Sequence, residues 1–443
     1  LSERQSWSSI KKGGKYYVTR NGSSLIAFSI GSNYSSGDGI AMIASHIDAV
    51  SAKLKPVSVK PTKAGYVQLG VAPYAGSLNT TWWDRDLSIG GRLIVKGEDG
   101  TVSSKLVKFD YPIARVPSLA PHFGVGMLGT NNPETQAVPI IGLDNSDLSL
   151  PTPSTLFGSS PFTAQTENAT AVSPALNLSS TPFSKGQPSA LLKAIAEKAG
   201  VSESSIINWE LELFDSQPAQ LGGLKKDFIF GGRIDDKLCS YAAVEGFLAA
   251  PNPDKSINLV SLFDDEEIGS LLRQGARGNF LPATVERIVE AFHGDEATKD
   301  ATGRTYANSF LVSADVTHAA NPNFLEKYLE GHAPRLNVGV TVSCDSNGHM
   351  TTDAVSHAFF NRCAELAGQT TQLFQIRNDS RSGGTVGPML SSAMGVRAID
   401  VGIPQLSMHS VRATTGSLDP GLGVKCFEGF YKNFEKVGGE FQF

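Results

Sequence analysis

Apolar and polar positions along the chain fall into two textures. From residue 15 to 143 the apolar residues sit in short β-rich runs punctuated by turn residues, whereas from about residue 189 such runs alternate with stretches of helical spacing. Lys15-Tyr16-Tyr17-Val18-Thr19-Arg20 and Leu25-Ile26-Ala27-Phe28-Ser29-Ile30 flank Asn21-Gly22, a pair that readily accepts the positive φ angles of a tight hairpin. Strands are expected again over 92–95 and 102–107. Past residue 189 the pattern predicts a helix over 191–199, and a small-residue stripe of Cys239, Ala242, Ala243 and Gly246 on one helix face. It also predicts strands over 257–263, 309–313, 336–343, 372–377 and 396–401. That alternation predicts an α/β fold with a mixed or parallel sheet flanked by helices.

Residues 144–188 separate the textures. They are rich in Ser, Thr, Pro and Asn, carry few charges, and predict a long exposed loop. The expected organisation is a discontinuous main domain of residues 1–72 and 215–443, interrupted by a β-rich insertion at 73–214 that includes this loop. No internal repeat is evident.

Composition narrows the classes of function. A formal net charge of -5 supplies no basic field for nucleic acid. No apolar run reaches the ~18 residues of a membrane span, and the first residues do not open a signal peptide, so membrane insertion is not expected. The four cysteines, Cys239, Cys344, Cys363 and Cys426, are widely spaced without a CxxC pair, which argues against both a zinc knuckle and a disulfide framework. The chain opens without methionine, and trimming of a longer product is expected.

Candidate chemistry lies at the ends of the apolar runs. Ile257 to Phe263 leads into Asp264-Asp265-Glu266-Glu267, Ile40 to Ala44 into Ser45-His46-Ile47-Asp48, and Phe310 to Ala314 into Asp315. Asp235 falls in Gly232-Arg233-Ile234-Asp235-Asp236, and His409 follows the stretch from Val396 to Met408. Four acids in a row by themselves more often form a solvated turn. In an open α/β sheet, however, the strand carboxyl ends border one crevice where residues distant in sequence converge. Mixed imidazole and carboxylate donors there suit two zinc-like ions, with Glu266 placed to carry a proton and Asp48 to hold the second N–H of His46. A lone histidine is more often structural, and the joint pattern outweighs that reading in a chain with eight histidines.

These motifs, together with Ser313-Ala314-Asp315-Val316-Thr317-His318, Leu406-Ser407-Met408-His409-Ser410 and Asp379-Ser380-Arg381-Ser382-Gly383-Gly384-Thr385-Val386-Gly387-Pro388, resemble the M18 family of metalloaminopeptidases over nearly the whole chain. Ala72-Pro73-Tyr74-Ala75-Gly76 and Ser118-Leu119-Ala120-Pro121-His122-Phe123 look most like its vacuolar branch, with the aspartyl aminopeptidase branch the nearby alternative. The resemblance implies a zinc-exopeptidase-like mixed sheet with an inserted β-rich dimerisation domain, and two Zn2+ per subunit. His46 and Asp315 would hold one ion, Glu267 and His409 the other, with Asp235 bridging and Glu266 as general base. Asp236 departs from the asparagine of the aspartyl branch, at a position that does not bridge. His122 would reach the site of a neighbouring protomer in a tetrahedral dodecamer, and His318, Asn347, Gly383 and Gly384 would contact substrate. A neutral, aliphatic N-terminal residue is the expected preference, because a lysine of the aspartyl branch falls near Asn347.

The resemblance further implies peptide substrates, delivery from the cytoplasm to the vacuole with a cytoplasmic location as the alternative, and an autophagy receptor engaged through an N-terminal segment that this chain lacks. Competing readings are a carboxypeptidase or amide deacylase, for which Arg381 is the obvious cation, and a self-assembling cargo particle. Glu266 argues against the last, since assembly alone needs no general base. The glycines after Arg381 could present N–H groups to a substrate carbonyl, and Trp82-Trp83 could line an interface or the core.

Overall fold

The computed structural model describes residues 1–123, 131–146, 182–293 and 298–441. The chain forms two compact units, Leu1–Val50 with Pro218–Phe443, and Ser51–Gln217. The boundaries differ from the expected 72/73 and 214/215. Strands Ser51–Val59 and Tyr66–Tyr74, whose β-rich sequence looked continuous with the preceding hairpin, pair into the second unit's sheet instead.

The larger unit is built on an eight-stranded mixed sheet, which meets the α/β expectation. Its spatial order is Lys15–Arg20, Ser24–Ile30, Ile257–Phe263, Ile40–His46, Phe310–Ala314, Arg397–Gly402, Thr341–Cys344 and Gln372–Gln375. The first two strands form the hairpin, with Asn21 and Gly22 at φ 58° and 69°. The four central strands from Ile257–Phe263 to Arg397–Gly402 run parallel.

Parallel strands are buried on both faces, and Ile40–His46 is buried at every position. Its side chains alternate between two cores. Ala41 and Ile43 join the helices Ile234–Ala249, Ala354–Leu366 and Asp419–Glu440, whereas Ile40, Met42 and Ala44 join Phe280–His293 and Val386–Met394. The small-residue stripe lets helix Ile234–Ala249 lie close to Asp419–Glu440: a Cβ on Gly246 would stand 2.9 Å from the backbone nitrogen of Glu428.

A second sheet of the same unit was not apparent in the sequence. Gln220–Gly222, Phe228–Gly231, Ala413–Gly416, Pro404–Leu406 and Thr317–His318 are too short to leave a periodic signal. This sheet matters for the site, because the chain leaves it directly into Asp235 and His409.

The smaller unit carries a six-stranded antiparallel sheet, ordered Val102–Lys108, Leu87–Lys96, Ile206–Asp215, Ser51–Val59, Tyr66–Tyr74 and Ile140–Leu143, together with helix Ser189–Ala199. Trp82 and Trp83 are buried, which places the pair in the core of this unit. Most of the loop expected over 144–188 lies outside the described residues, and its last part differs from the expectation, since Pro182–Lys185 form a short helix.

Candidate metal centre

His46 ends the central strand and is 1% exposed. Its Nε2 lies 3.2 Å from Asp235 Oδ1, 3.6 Å from Asp315 Oδ1 and 3.8 Å from Glu266 Oε2. The other oxygen of Asp235, Oδ2, is 3.5 Å from His409 Nε2, which in turn is 3.4 Å from Glu267 Oε2. One carboxylate therefore faces two imidazoles with its two oxygens. Donor atoms about 2.1 Å from a tetrahedral zinc ion stand roughly 3.4 Å apart, so these spacings fit an ion within each group. Glu267 Oε1 is buried without a hydrogen-bond partner, an oxygen whose lone pairs are left for a ligand to satisfy.

Local structure explains the convergence. Asp315 follows strand Phe310–Ala314, beside the end of Ile40–His46. Glu266 and Glu267 sit on a 3-10 turn after Ile257–Phe263, entered through Asp265 at φ 64° and left through Gly269 at φ 95°. The strands before the other two are short: Asp235 follows Phe228–Gly231 at the kinked start of helix Ile234–Ala249, with extended φ −80° and ψ 113°, and His409, itself at φ 60°, follows Pro404–Leu406. A positive φ at a non-glycine residue is the kind of backbone strain that functional sites retain.

Asp48 ties the first histidine to both glutamates. Its Oδ1 lies 3.3 Å from His46 Nδ1 and accepts the Glu266 N–H, while Oδ2 accepts the Glu267 N–H, both at 3.1 Å. Asp236 is near enough to Asp235 and Asp315 to join a ligand group, yet its oxygens accept from Ser45 Oγ and the Cys239 N–H. That carboxyl serves the fold beneath the site.

Crowding of acids has a protonic consequence. Burial, with the charge of Asp315 next, pushes Glu266 up to about 8, and burial with Asp235 pushes Glu267 up to about 9. Burial raises Asp315 as well, against the pull of His46. Burial alone would lower His46, but Asp315, Asp235 and Asp48 outweigh it and hold the ring well above the ordinary histidine range. The metal-free cluster thus keeps protons at neutral pH that a dication would displace.

A cavity of about 360 Å³ opens from the cluster. Its chemistry is two-sided: Asp235, Glu266, Glu267, Asp315 and His409 face Met350, Phe374, Ile376, Met389 and Met408. His318, Gly383 and Gly384 also line it, with the His318 ring 5.8 Å from that of Phe374. Desolvation, then the nearby His409, holds His318 below the usual histidine range.

Asn347 is placed elsewhere. It lines an adjoining polar cavity of about 430 Å³ with Asp345, His349, Arg377 and Arg381, which shares Ile376 and Ser382 with the first. The segment Cys344 to His349 carries no permanent cation, but residues 377–381 bring two guanidiniums to the same cavity. His122 belongs to the smaller unit, where it is exposed on the 3-10 turn Pro121–Phe123 with its ring 4.6 Å from Phe123. The apolar wall escaped sequence reasoning, because its side chains come singly from separate segments and form no motif.

The profile of the aminopeptidase I zinc metalloprotease (M18) family matches residues 1–431, and the chain belongs to that family. It is a hydrolase of the metallo-aminopeptidase class, and the mixed cluster of histidines and acids suits the family's zinc. Among curated relatives, vacuolar aminopeptidase 1 of Saccharomyces cerevisiae is 45% identical over 100% of this chain and 83% of the relative. An aspartyl aminopeptidase of Aspergillus oryzae is 39% identical, over 99% of this chain and 90% of its own length. Among solved structures, mApe1 of Chaetomium thermophilum is 56% identical with a TM-score of 0.86, covering 100% of this chain and 92% of that one. The mApe1 dodecamer of Saccharomyces cerevisiae is 40% identical with a TM-score of 0.83, covering 99% and 90%.

Proposed function

We propose that the protein is a dinuclear zinc aminopeptidase that releases neutral, apolar N-terminal residues from peptides. The observation that carries the reading is a cavity at which the cluster His46, Glu266 and Asp315 and the cluster Asp235, Glu267 and His409 adjoin, Asp235 offering one oxygen to each imidazole, in a lining that also holds methionine, phenylalanine and isoleucine. In this assignment His46 and Asp315 would hold one ion, Glu267 and His409 the other, and Asp235 would serve both. When bound, such ions polarise the scissile carbonyl and make water acidic near neutral pH.

The protein's own groups do the rest. Glu266, 3.8 Å from His46 Nε2, takes the proton of the attacking water and passes it to the departing amine. Asp48 stands 3.3 Å from Nδ1 of His46, where it favours a proton on that nitrogen, and holds the peptide that carries both glutamates. The apolar wall takes the first side chain, and Gly383 and Gly384, whose positions leave open space where a Cβ would stand, let the substrate backbone approach. His318 borders the substrate, and Asn347 contacts it from the adjoining cavity.

Assembly completes the reading. The chain forms a homo-oligomer, as its dodecameric relative does, and the tetrahedral dodecamer with the β-rich unit as its dimerisation element is assigned on that likeness. His122, exposed and outside the ligand groups, is assigned to the site of a neighbouring copy, where it steadies the developing oxyanion. Likeness to a vacuolar enzyme supports a location in the vacuole, and likeness to the Ape4 chain of a complex with Nbr1 supports a partner that brings the protein there from the cytoplasm.

Arg381 favours a second reading, cleavage of aspartyl or glutamyl residues, since it supplies a cation that Asn347 lacks, whereas the Arg377 guanidinium is paired with Asp379 at 2.8 Å. A panel of leucyl and aspartyl substrates with zinc-loaded protein decides between the two. Higher kcat/KM on leucyl substrates is expected, and equal or better cleavage of aspartyl substrates would establish the second reading.

A further inference from the structure

The cavity floor holds an acid that the proposed chemistry does not use. Asp400, in Arg397–Gly402, one of the four central strands, is 2% exposed and lines the cavity. Its oxygens are taken up by threonines from two different segments. Oδ2 accepts the backbone N–H of Thr351 at 2.5 Å and its hydroxyl at 2.7 Å, and Oδ1 accepts the hydroxyl of Thr385 at 2.5 Å. The strand's own backbone extends the brace: the Asp400 N–H donates to Thr352 Oγ1, which donates to the carbonyl of Ser343.

Each threonine borders a part of the wall. Thr351 directly follows Met350. Thr385 directly follows Gly383-Gly384 and caps helix Val386–Met394, accepting the Gly387 N–H, and that helix carries Met389. Neither bordering stretch is held in a strand, since Met350 lies in the connection after Thr341–Cys344 and Gly384 in the connection after Gln372–Gln375. A Cβ at Gly387 would stand 2.7 Å from Asp400 Oδ1, so the helix end meets the carboxylate with no room to spare.

We propose that Asp400 is a positioning residue for specificity: by holding Thr351 and Thr385 to one rigid strand, it fixes the distance between Met350 and Met389 and so the fit of a bulky apolar side chain. The inference rests on the assignment of this cavity to the substrate's first residue. In Asp400→Asn the amide oxygen can keep the Thr351 N–H, but the N–H₂ then meets Thr385 Oγ1, which already accepts from the Gly387 N–H and from Ser313 Oγ, so the Thr385 side of the wall is released. A loosened wall penalises the residue that fills it more than one that does not.

The test compares leucyl and alanyl substrates on zinc-loaded, assembled protein, with zinc content and Tm measured alongside. In Asp400→Asn the leucyl-to-alanyl ratio of kcat/KM should fall about tenfold, a fit-dependent discrimination of the size a hydrophobic pocket supplies. Most of that fall should appear in the leucyl KM, with zinc per subunit unchanged. Thr351→Val, which removes the hydroxyl and keeps the N–H, should shift the ratio the same way by about threefold, and Thr351→Ser should restore it. If Asp400→Asn does not fold, the threonine pair carries the test alone. An unchanged ratio in the folded variants, or equal losses on both substrates, would overturn the proposal by showing a brace of stability only. A wild type that does not favour leucyl over alanyl substrates would instead overturn the cavity assignment, and this inference with it.

Discussion

Asp48 Oδ1 stands 3.3 Å from His46 Nδ1, the ring nitrogen other than the Nε2 that approaches Asp235. A carboxylate in that position fixes the imidazole's orientation and raises its basicity as a ligand. Asp48→Asn should weaken zinc affinity by about 10–100-fold. Competition against a chromophoric chelator measures it, and unchanged affinity would show that the contact contributes nothing to the site.

Protons held by the metal-free cluster lead to a second prediction. Glu266 and Glu267 keep theirs up to about 8 and about 9 in the folded chain, against an ordinary value of 4.5 when exposed. Between those limits the folded state binds more protons than the unfolded one, so stability from these groups is greatest at low pH and falls as pH rises through 8 and 9. Chelator-treated protein should accordingly unfold at lower urea concentration at pH 9 than at pH 6. Zinc binding at pH 7 should release on the order of one to two protons per subunit, seen as a dependence of the calorimetric heat on buffer ionisation enthalpy. Heat independent of buffer would contradict the burial argument.

Helix contact makes Gly246 intolerant of a side chain. A Cβ there would meet the Glu428 nitrogen at 2.9 Å and Phe427 Cβ at 3.0 Å, so Gly246→Val forces helix Ile234–Ala249 off its neighbour. A loss of about 1–3 kcal/mol is expected. Urea unfolding of the zinc-loaded protein reads it directly, and Asp235, in the first turn of the same helix, predicts some loss of zinc alongside.

His122→Ala should lower turnover by about 100–1,000-fold, the usual cost of one oxyanion donor, while zinc content stays the same. Mixing that variant with Glu266→Gln protein under subunit exchange should restore activity, because mixed contacts rebuild some complete sites. No recovery despite exchange would remove His122 from a neighbouring copy's site.

The sequence carried the strand ends well and the second sheet poorly. His46 and Asp315 were legible because long buried strands leave continuous apolar runs that stop abruptly at a polar residue. Glu266 and Glu267 were legible for the same reason, one turn beyond such a run. Asp235 and His409 were recognised by motif, but their setting was not, since the short strands that lead into them are held by pairing with distant segments. Asn347 sits in the adjoining cavity beside arginines from residues 377–381, a proximity no local pattern encodes. Asp400 had no signal at all: an acid inside the apolar run from Val396 to Ile403 reads as an interruption until its threonine partners are seen.

Glu266→Gln gives the most direct test of a two-ion site served by one proton-carrying glutamate. Zinc per subunit and steady-state turnover on a leucyl substrate are measured on the same preparation. Two zinc ions retained per subunit with turnover reduced by at least about 100-fold is the predicted result. Near wild-type turnover in zinc-replete buffer, or loss of zinc together with activity, would contradict it, the first by removing Glu266 from proton transfer and the second by making it a ligand.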